Sequence, residues 1–151
     1  MAVLVREQVR EKPEVTPVLR VTSALENLSL IRRFVAEQGA ALGAALDAID
    51  DMILVVDECA TNIMVHGYQG DDGEIEVEVR QDGDALIVCL RDRAALFDPH
   101  AVPQPDLSLP LQERPLGKMG LFFANQLVDR VEHAARPGGG NELTLTIQAA
   151  L

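Results

Sequence analysis

The sequence predicts an α+β two-layer sandwich, a mixed, mostly antiparallel sheet with helices on one face. Three observations carry this. Residues 74–80, Glu-Ile-Glu-Val-Glu-Val-Arg, alternate strictly, which requires a strand with one wet and one buried face; antiparallel sheets covered on one side have this pattern. Two earlier stretches repeat apolar residues at helical spacing. Asp82-Gly83 and the Gly138-Gly139-Gly140 run then turn the chain between strand-like segments. The order is strand, two helices, hairpin, long loop, helix, hairpin, and such an order packs as two layers.

The elements follow in turn. Residues 1–13 are charged, end in Pro13 and are expected to form a flexible N-terminal arm, with one domain over 14–151. Residues 15–22 (VTPVLRVT) are rich in β-branched residues and read as a strand, and Pro17 suits an edge or a strand start. Ser23 and Glu26 fit a capping box ahead of a helix over 24–38, with Leu25, Leu28, Ile31 and Val35 on its apolar face. Gly39 and Gly43 punctuate its end. A second helix spans about Ala44 to His66. Its core stripe is Ala45, Ile49, Met52, Ile53, Val56, Ala60 and Ile63, and Asp47, Asp51, Glu58, Thr61, Asn62 and His66 lie opposite. Gly67 fits the position after the helix end. Strand 74–80 is followed by a more deeply buried strand from Ala85 to Leu90. Residues 93–115 hold five prolines and no sustained period. A connection of that length inside a compact domain is usually functional, such as a lid, or disordered. Residues 120–128 are helical in pattern. Val131, His133 and Ala135 suggest a strand, and Leu143, Leu145 and Ile147 alternate with Thr144, Thr146 and Gln148 in a closing one.

Composition excludes several roles. The chain has 151 residues with 13 Lys plus Arg against 24 Asp plus Glu, a net charge of −11. That charge counts against direct nucleic-acid binding, which needs a basic surface, and against docking on anionic membranes. A hydrophobic fraction of 48% is enough for a core. Cys59 and Cys89 lie in apolar segments and read as buried reduced thiols, without a disulfide framework or zinc pattern. The opening MAVLVREQVREK has too short an apolar run for a signal peptide. No apolar stretch approaches the ~18 residues of a membrane span. The expected location is the cytoplasm.

Four features could carry chemistry. Glu58 and Asn62 are four residues apart and neighbour each other on one helix face. A carboxylate beside a carboxamide oxygen suits Mg²⁺, a hard cation that often shares its oxygen ligands with phosphates. The plain reading of this pair is a solvated helix face. His66, one turn on, reads alone as a helix-end residue near the last carbonyls. Asp92 follows a buried strand, where its carboxylate could accept from an exocyclic amine such as that of adenine, or simply serve a turn. Gly117 and Gly120 flank Lys118-Met119 at a helix entry, where free amides bind phosphate and glycine permits close approach; ordinary helix entry explains them as well. Together they are the parts of a Mg-nucleotide pocket.

The order of these motifs resembles a known family. The segment DECATNIMVHGY (57–68) resembles the N-box of the anti-sigma factor serine-protein kinases, which share a histidine-kinase-like (GHKL) ATPase fold with histidine kinases and gyrase. DRAALFDP (92–99) is similar to their first glycine box. PDLSLPLQERPLGKMGL (105–121) is similar to their lid and second glycine box, and NELTLT (141–146) to their last strand. The resemblance covers about 15–148 and implies the Bergerat sandwich. It implies Glu58 as general base toward a serine hydroxyl, Asn62 as the Mg²⁺ ligand and Asp92 as acceptor of the adenine amine. Gly117, Lys118, Met119 and Gly120 would wrap the phosphates. His66, Ala94, Phe97 and Leu121 fall in the same nucleotide-binding boxes, and Thr144 of the last strand would help the adenine site. Two positions depart from the pattern, since Ala94 and Lys118 stand where glycine is usual.

The function so implied is that of an ATP-binding anti-sigma factor. It would sequester a sigma factor and phosphorylate a serine of a STAS-type anti-anti-sigma antagonist, with ATP and Mg²⁺ as cofactors and a homodimer as the common assembly. The alternative is a degenerate module of the same fold that acts by protein contact without phosphoryl transfer, motivated by Ala94 and Lys118.

Overall fold

The computed structural model of the chain describes residues 16–96 and 126–151. The expected arm, most of the expected 93–115 connection, Phe97, and the second glycine box with Gly117, Lys118, Met119, Gly120 and Leu121 lie outside the described residues.

The described chain runs β1 (Val18–Thr22), α1 (Leu28–Ala41), α2 (Leu46–Asn62), β2 (Glu74–Asp82), β3 (Ala85–Asp92), β4 (Arg130–Ala135) and β5 (Asn141–Ile147). The sheet order is β1-β2-β3-β5-β4. Every strand pair among the described residues is antiparallel, in line with the expected mostly antiparallel sheet. Hairpins join β2 to β3 and β4 to β5, and both are antiparallel by construction. Pro17 directly precedes β1, the edge strand, where its missing N–H costs no ladder bond.

Alternation sorts the sheet into two faces. Ile75, Val77 and Val79 of β2, Leu86, Val88 and Leu90 of β3, and Leu143 and Leu145 of β5 are buried and packed in one core with the helices. Ile31 and Val35 of α1 and Met52, Val55 and Val56 of α2 fill the other side of that core. Each side chain of this size, fully buried, contributes about 1.5–3 kcal/mol. On the opposite face, ion pairs join neighbouring strands. Arg20 meets Glu76 at 3.2 Å, and Arg91 reaches Glu78 at 2.7 Å and Glu142 at 2.6 Å. Partial burial works against the Arg91 charge, yet the two carboxylates outweigh it and hold the guanidinium above its ordinary range.

Three local expectations are corrected. The Ser23–Glu26 capping box does not form. The chain instead makes a 3₁₀ turn at Leu25–Asn27, and Asn27 Nδ2 donates to the Thr22 carbonyl at 3.0 Å and to Thr22 Oγ1 at 2.9 Å. Ser23 precedes the true N-cap, Ala24, and its buried hydroxyl has no partner among the described residues. The buried stripe of α2 is turned relative to the expected one. Ala48, Val55 and Cys59 join Ile49, Met52, Val56 and Ala60, while Ala45 is exposed. Gly39 lies inside α1 instead of ending it; a Cβ there would stand 3.1 Å from Ile49 Cγ1, so it lets the two helices approach. Gly43, at φ +87°, is the residue that ends α1.

The α2 helix does not continue regularly to His66. Residues Ile63–Gly67 form a π turn, in which the Tyr68 N–H donates to the Ile63 carbonyl at 2.8 Å. Such wide turns inside helices are frequent at functional sites.

Candidate functional site

The site is built at the end of β3. Asp92 is the last residue of that strand, is 3% exposed, and pairs with Asn141, the first residue of β5. Its Oδ1 accepts the Ala94 N–H at 2.8 Å and Asn141 Nδ2 at 2.9 Å. Its carbonyl accepts from Arg136 Nη1 at 3.0 Å. Oδ2 takes no hydrogen bond among the described residues. Asp92 is therefore a carboxylate with one oxygen committed to the protein and one available to a donor from outside.

Asn141 is 6% exposed and links three segments. Besides Asp92, its Nδ2 donates to the Ala95 carbonyl at 2.9 Å and lies 3.5 Å from that of Ala94. Its Oδ1 stands 2.7 Å from His133 Nε2 on β4. Gly140, at φ +103°, brings the strand entry against Asp92. A Cβ there would collide with the Asp92 carbonyl oxygen and lie 2.9 Å from Arg93 Cα.

The helical side comes to the same place through the π turn. Glu58 and Asn62 are half-buried on the last turns of α2. A Cβ on Gly67 would stand 3.2 Å from Ala94 Cβ and 4.0 Å from the Asn62 carbonyl oxygen, so Asn62's turn is packed on the segment after Asp92. Gly67 thus serves close packing within the π turn, not a helix end in the left-handed region. Tyr68 adds a second tie. Its hydroxyl accepts the Arg93 N–H at 2.7 Å and donates to the Glu74 carbonyl at 2.7 Å. Further back, Asp57 on α2 accepts from Arg32 of α1 at 2.5 Å. Cys59, beside Glu58, is buried in the core; burial, with Glu58's charge as a smaller cause, pushes its thiol up to about 12, so it stays protonated and inert.

The sequence-derived candidates separate accordingly. Glu58 and Asn62 share one helix face, and the turn after that helix meets Ala94, two residues beyond Asp92, through Gly67. Ala94 is buried, and the positive-φ residues other than glycine among those described are Gln69 and Ala149, so Ala94 fills a usual glycine position without that strain. His66 is exposed on the π turn and makes no hydrogen bond or ion pair to the cluster among the described residues. Thr144 is not brought to the site. It pairs with Cys89 and Glu132 on the outer face of the sheet, with its hydroxyl 3.7 Å from Cys89 Sγ. The β5 residue that reaches Asp92 is Asn141. Parity carries the signal: Asn141 shares its face with the buried Leu143 and Leu145, and Thr144 does not. Asn141, His133, Tyr68 and Gly140 gather around Asp92 without having been given a role from the motifs.

The donor chemistry fits a magnesium nucleotide. Among the described residues no group of three or more His, Cys, Asp or Glu could hold a metal ion. A protein-only cage is thus absent there, whereas Mg²⁺ held through phosphates needs only one or two oxygen donors such as Asn62 and Glu58. No helix among the described residues is long and apolar enough to cross a membrane.

Comparison with known proteins identifies the family. Residues 21–147 match the family described as the histidine kinase-like ATPase domain. A serine-protein kinase RsbW of Bacillus cereus is 30% identical over 118 residues, 76% of this chain and 74% of that protein. The RsbW of Bacillus thuringiensis subsp. konkukian is likewise 30% identical over 118 residues, 76% of this chain and 74% of that one. A crystal structure of the RsbU and RsbW domains of a Mycobacterium tuberculosis protein superposes with a TM-score of 0.60 at 24% identity. It covers 88% of this chain, which spans 32% of that longer one, and the likeness is one of fold. The chain belongs to the histidine kinase-like ATPase domain family, alongside the RsbW serine-protein kinases.

Proposed function

We propose that this chain is an ATP-dependent serine-protein kinase that acts as an anti-sigma factor. It binds a sigma factor and phosphorylates a serine of a STAS-type anti-anti-sigma protein, in the cytoplasm and as a homodimer. One observation carries the reading: the buried Asp92 carboxylate is fixed through Oδ1 with Oδ2 unengaged among the described residues, and Ala94, whose N–H it accepts, packs against the turn that follows Asn62. That is an acceptor for an adenine amine next to oxygen donors for a phosphate-bound cation. The family and the RsbW relatives support it.

Each residue then has a task. Asp92 accepts from the base and orients the nucleotide. Asn62 offers its carboxamide oxygen to the cation, which when bound neutralises charge on the transferring phosphoryl group. Glu58, one turn before Asn62, takes the proton of the attacking serine hydroxyl as its oxygen bonds to the γ-phosphorus and the bond to ADP breaks. Positioning and charge neutralisation do most of the work in such transfers. Ala94's unstrained place weighs against the reading of a degenerate contact module.

The test is transfer of label from γ-labelled ATP to a STAS-type partner. Transfer is expected for the native chain and should fall about 100-fold or more in Glu58→Gln, the usual cost of losing a general base. Undiminished transfer in Glu58→Gln removes Glu58 from that role.

A further inference from the structure

We propose that His133, acting through Asn141, is a positioning residue of the base site: it holds the Asn141 carboxamide in the one orientation that fixes Asp92 Oδ1, and the preference for a 6-amino over a 6-oxo purine depends on it. The proposal rests on the nucleotide reading above and names a device within that site.

The hydrogen-bond partners determine the orientation. A carboxamide is nearly symmetric in shape, so its neighbours decide which end is nitrogen. One end of Asn141 faces three acceptors: Asp92 Oδ1 at 2.9 Å, the Ala95 carbonyl at 2.9 Å and the Ala94 carbonyl at 3.5 Å. An oxygen there would meet oxygens only, so that end is the NH₂ group. The other end is an oxygen 2.7 Å from His133 Nε2, and this requires the ring to carry its proton on Nε2. The chain of donors therefore runs in one direction, from His133 through Asn141 to Asp92. Pairing of His133 with Leu143 on the inner face sets the ring two residues along β5 from Asn141.

The consequence falls on the ligand. With Oδ1 occupied by two donors, Asp92 presents Oδ2 as its acceptor. A 6-amino group donates to it; a 6-oxo group sets oxygen against oxygen and leaves the carboxylate unpaired. Sites built around such a hydrogen bond reject the analogue lacking the donor, provided the protein group cannot turn away. Without His133 the Asn141 carboxamide loses its 2.7 Å anchor on the oxygen side, and its hold on Asp92 Oδ1 from the NH₂ side is less firmly fixed.

Calorimetric affinities for Mg-ATP and Mg-GTP would be compared in the native chain, His133→Phe and His133→Gln, with thermal melting of each. The expected result is an ATP affinity about tenfold weaker in His133→Phe and a correspondingly narrower ATP:GTP ratio, the size of one charge-linked hydrogen bond lost. His133→Gln, which can still donate, should restore most of the ratio. A His133→Phe chain that melts lower but keeps the native ratio reduces His133 to a structural part and overturns the proposal. A native chain that binds neither nucleotide overturns the underlying reading and this one with it. Nitrogen-15 NMR of the native His133 ring needs no variant. A ring protonated at Nε2 is expected, and a neutral ring protonated on Nδ1 alone contradicts the geometry.

Discussion

Two glycine turns lie at opposite ends of β3, and they are glycine for different reasons. Gly83 joins β2 to β3 at φ +61°, with nothing within 4 Å of where a Cβ would stand. Gly140 enters β5 at φ +103°, where a Cβ would strike the Asp92 carbonyl and lie 2.9 Å from Arg93 Cα. The first answers to the turn alone. The second answers to the turn and to a neighbour, because the backbone there must press against the strand end that carries the site. The hairpin end can change at little cost; the Asp92 end is over-determined by Gly140, Asn141, Tyr68 and Arg136 together.

Substitutions should separate the two ends. Gly140→Ala should be the most damaging change. It combines left-handed strain of about 1–2 kcal/mol with a backbone clash of about 1–3 kcal/mol, and should lower the melting temperature by about 10 °C. Asp92→Asn should leave the fold largely intact and weaken Mg-ATP about 100-fold by calorimetry, as the charged acceptor is lost. Tyr68→Phe keeps the ring over Gly73 but leaves the Arg93 N–H and the Glu74 carbonyl without their shared partner. Denaturant melts should show a loss of about 2 kcal/mol. Gly83→Ala should cost about 1 kcal/mol, since φ alone is strained. Equal losses for Gly83→Ala and Gly140→Ala would mean that the close approach at Asp92 carries no weight.

Much of this was legible in the chain and some was not, for physical reasons. Ile75, Val77 and Val79 announced β2 because a period of two has one buried face. The helices were legible as helices, yet the stripe of α2 came out turned. Ala45 and Ile63 are apolar but lie at or beyond the ends of the regular helix, and the π turn at Ile63–Gly67 breaks the period without a distinctive residue. Ser23 looked like a cap because capping boxes are local patterns; the Asn27 bond back to Thr22 and the Ser23 N–H bond to Gly73 arise from the turn and a distant loop. Spacing and strand position made Glu58, Asn62 and Asp92 candidates beside plainer readings, and the resemblance of their motifs gave them roles. Thr144 was drawn in by its motif, and only the register against Cys89 shows that it faces away. Asn141 opens the last-strand motif and His133 reads as a strand residue, and their link to Asp92 needs the pairing of β3, β5 and β4.

The proposed chemistry requires the end of β3 to receive a purine base. A crystal structure with Mg²⁺ and a non-hydrolysable ATP analogue decides it. The exocyclic amine is expected within hydrogen-bonding distance of Asp92 Oδ2, with the phosphates on the Asn62 side. A base bound elsewhere, with Asp92 Oδ2 turned to a protein donor, would refute that placement.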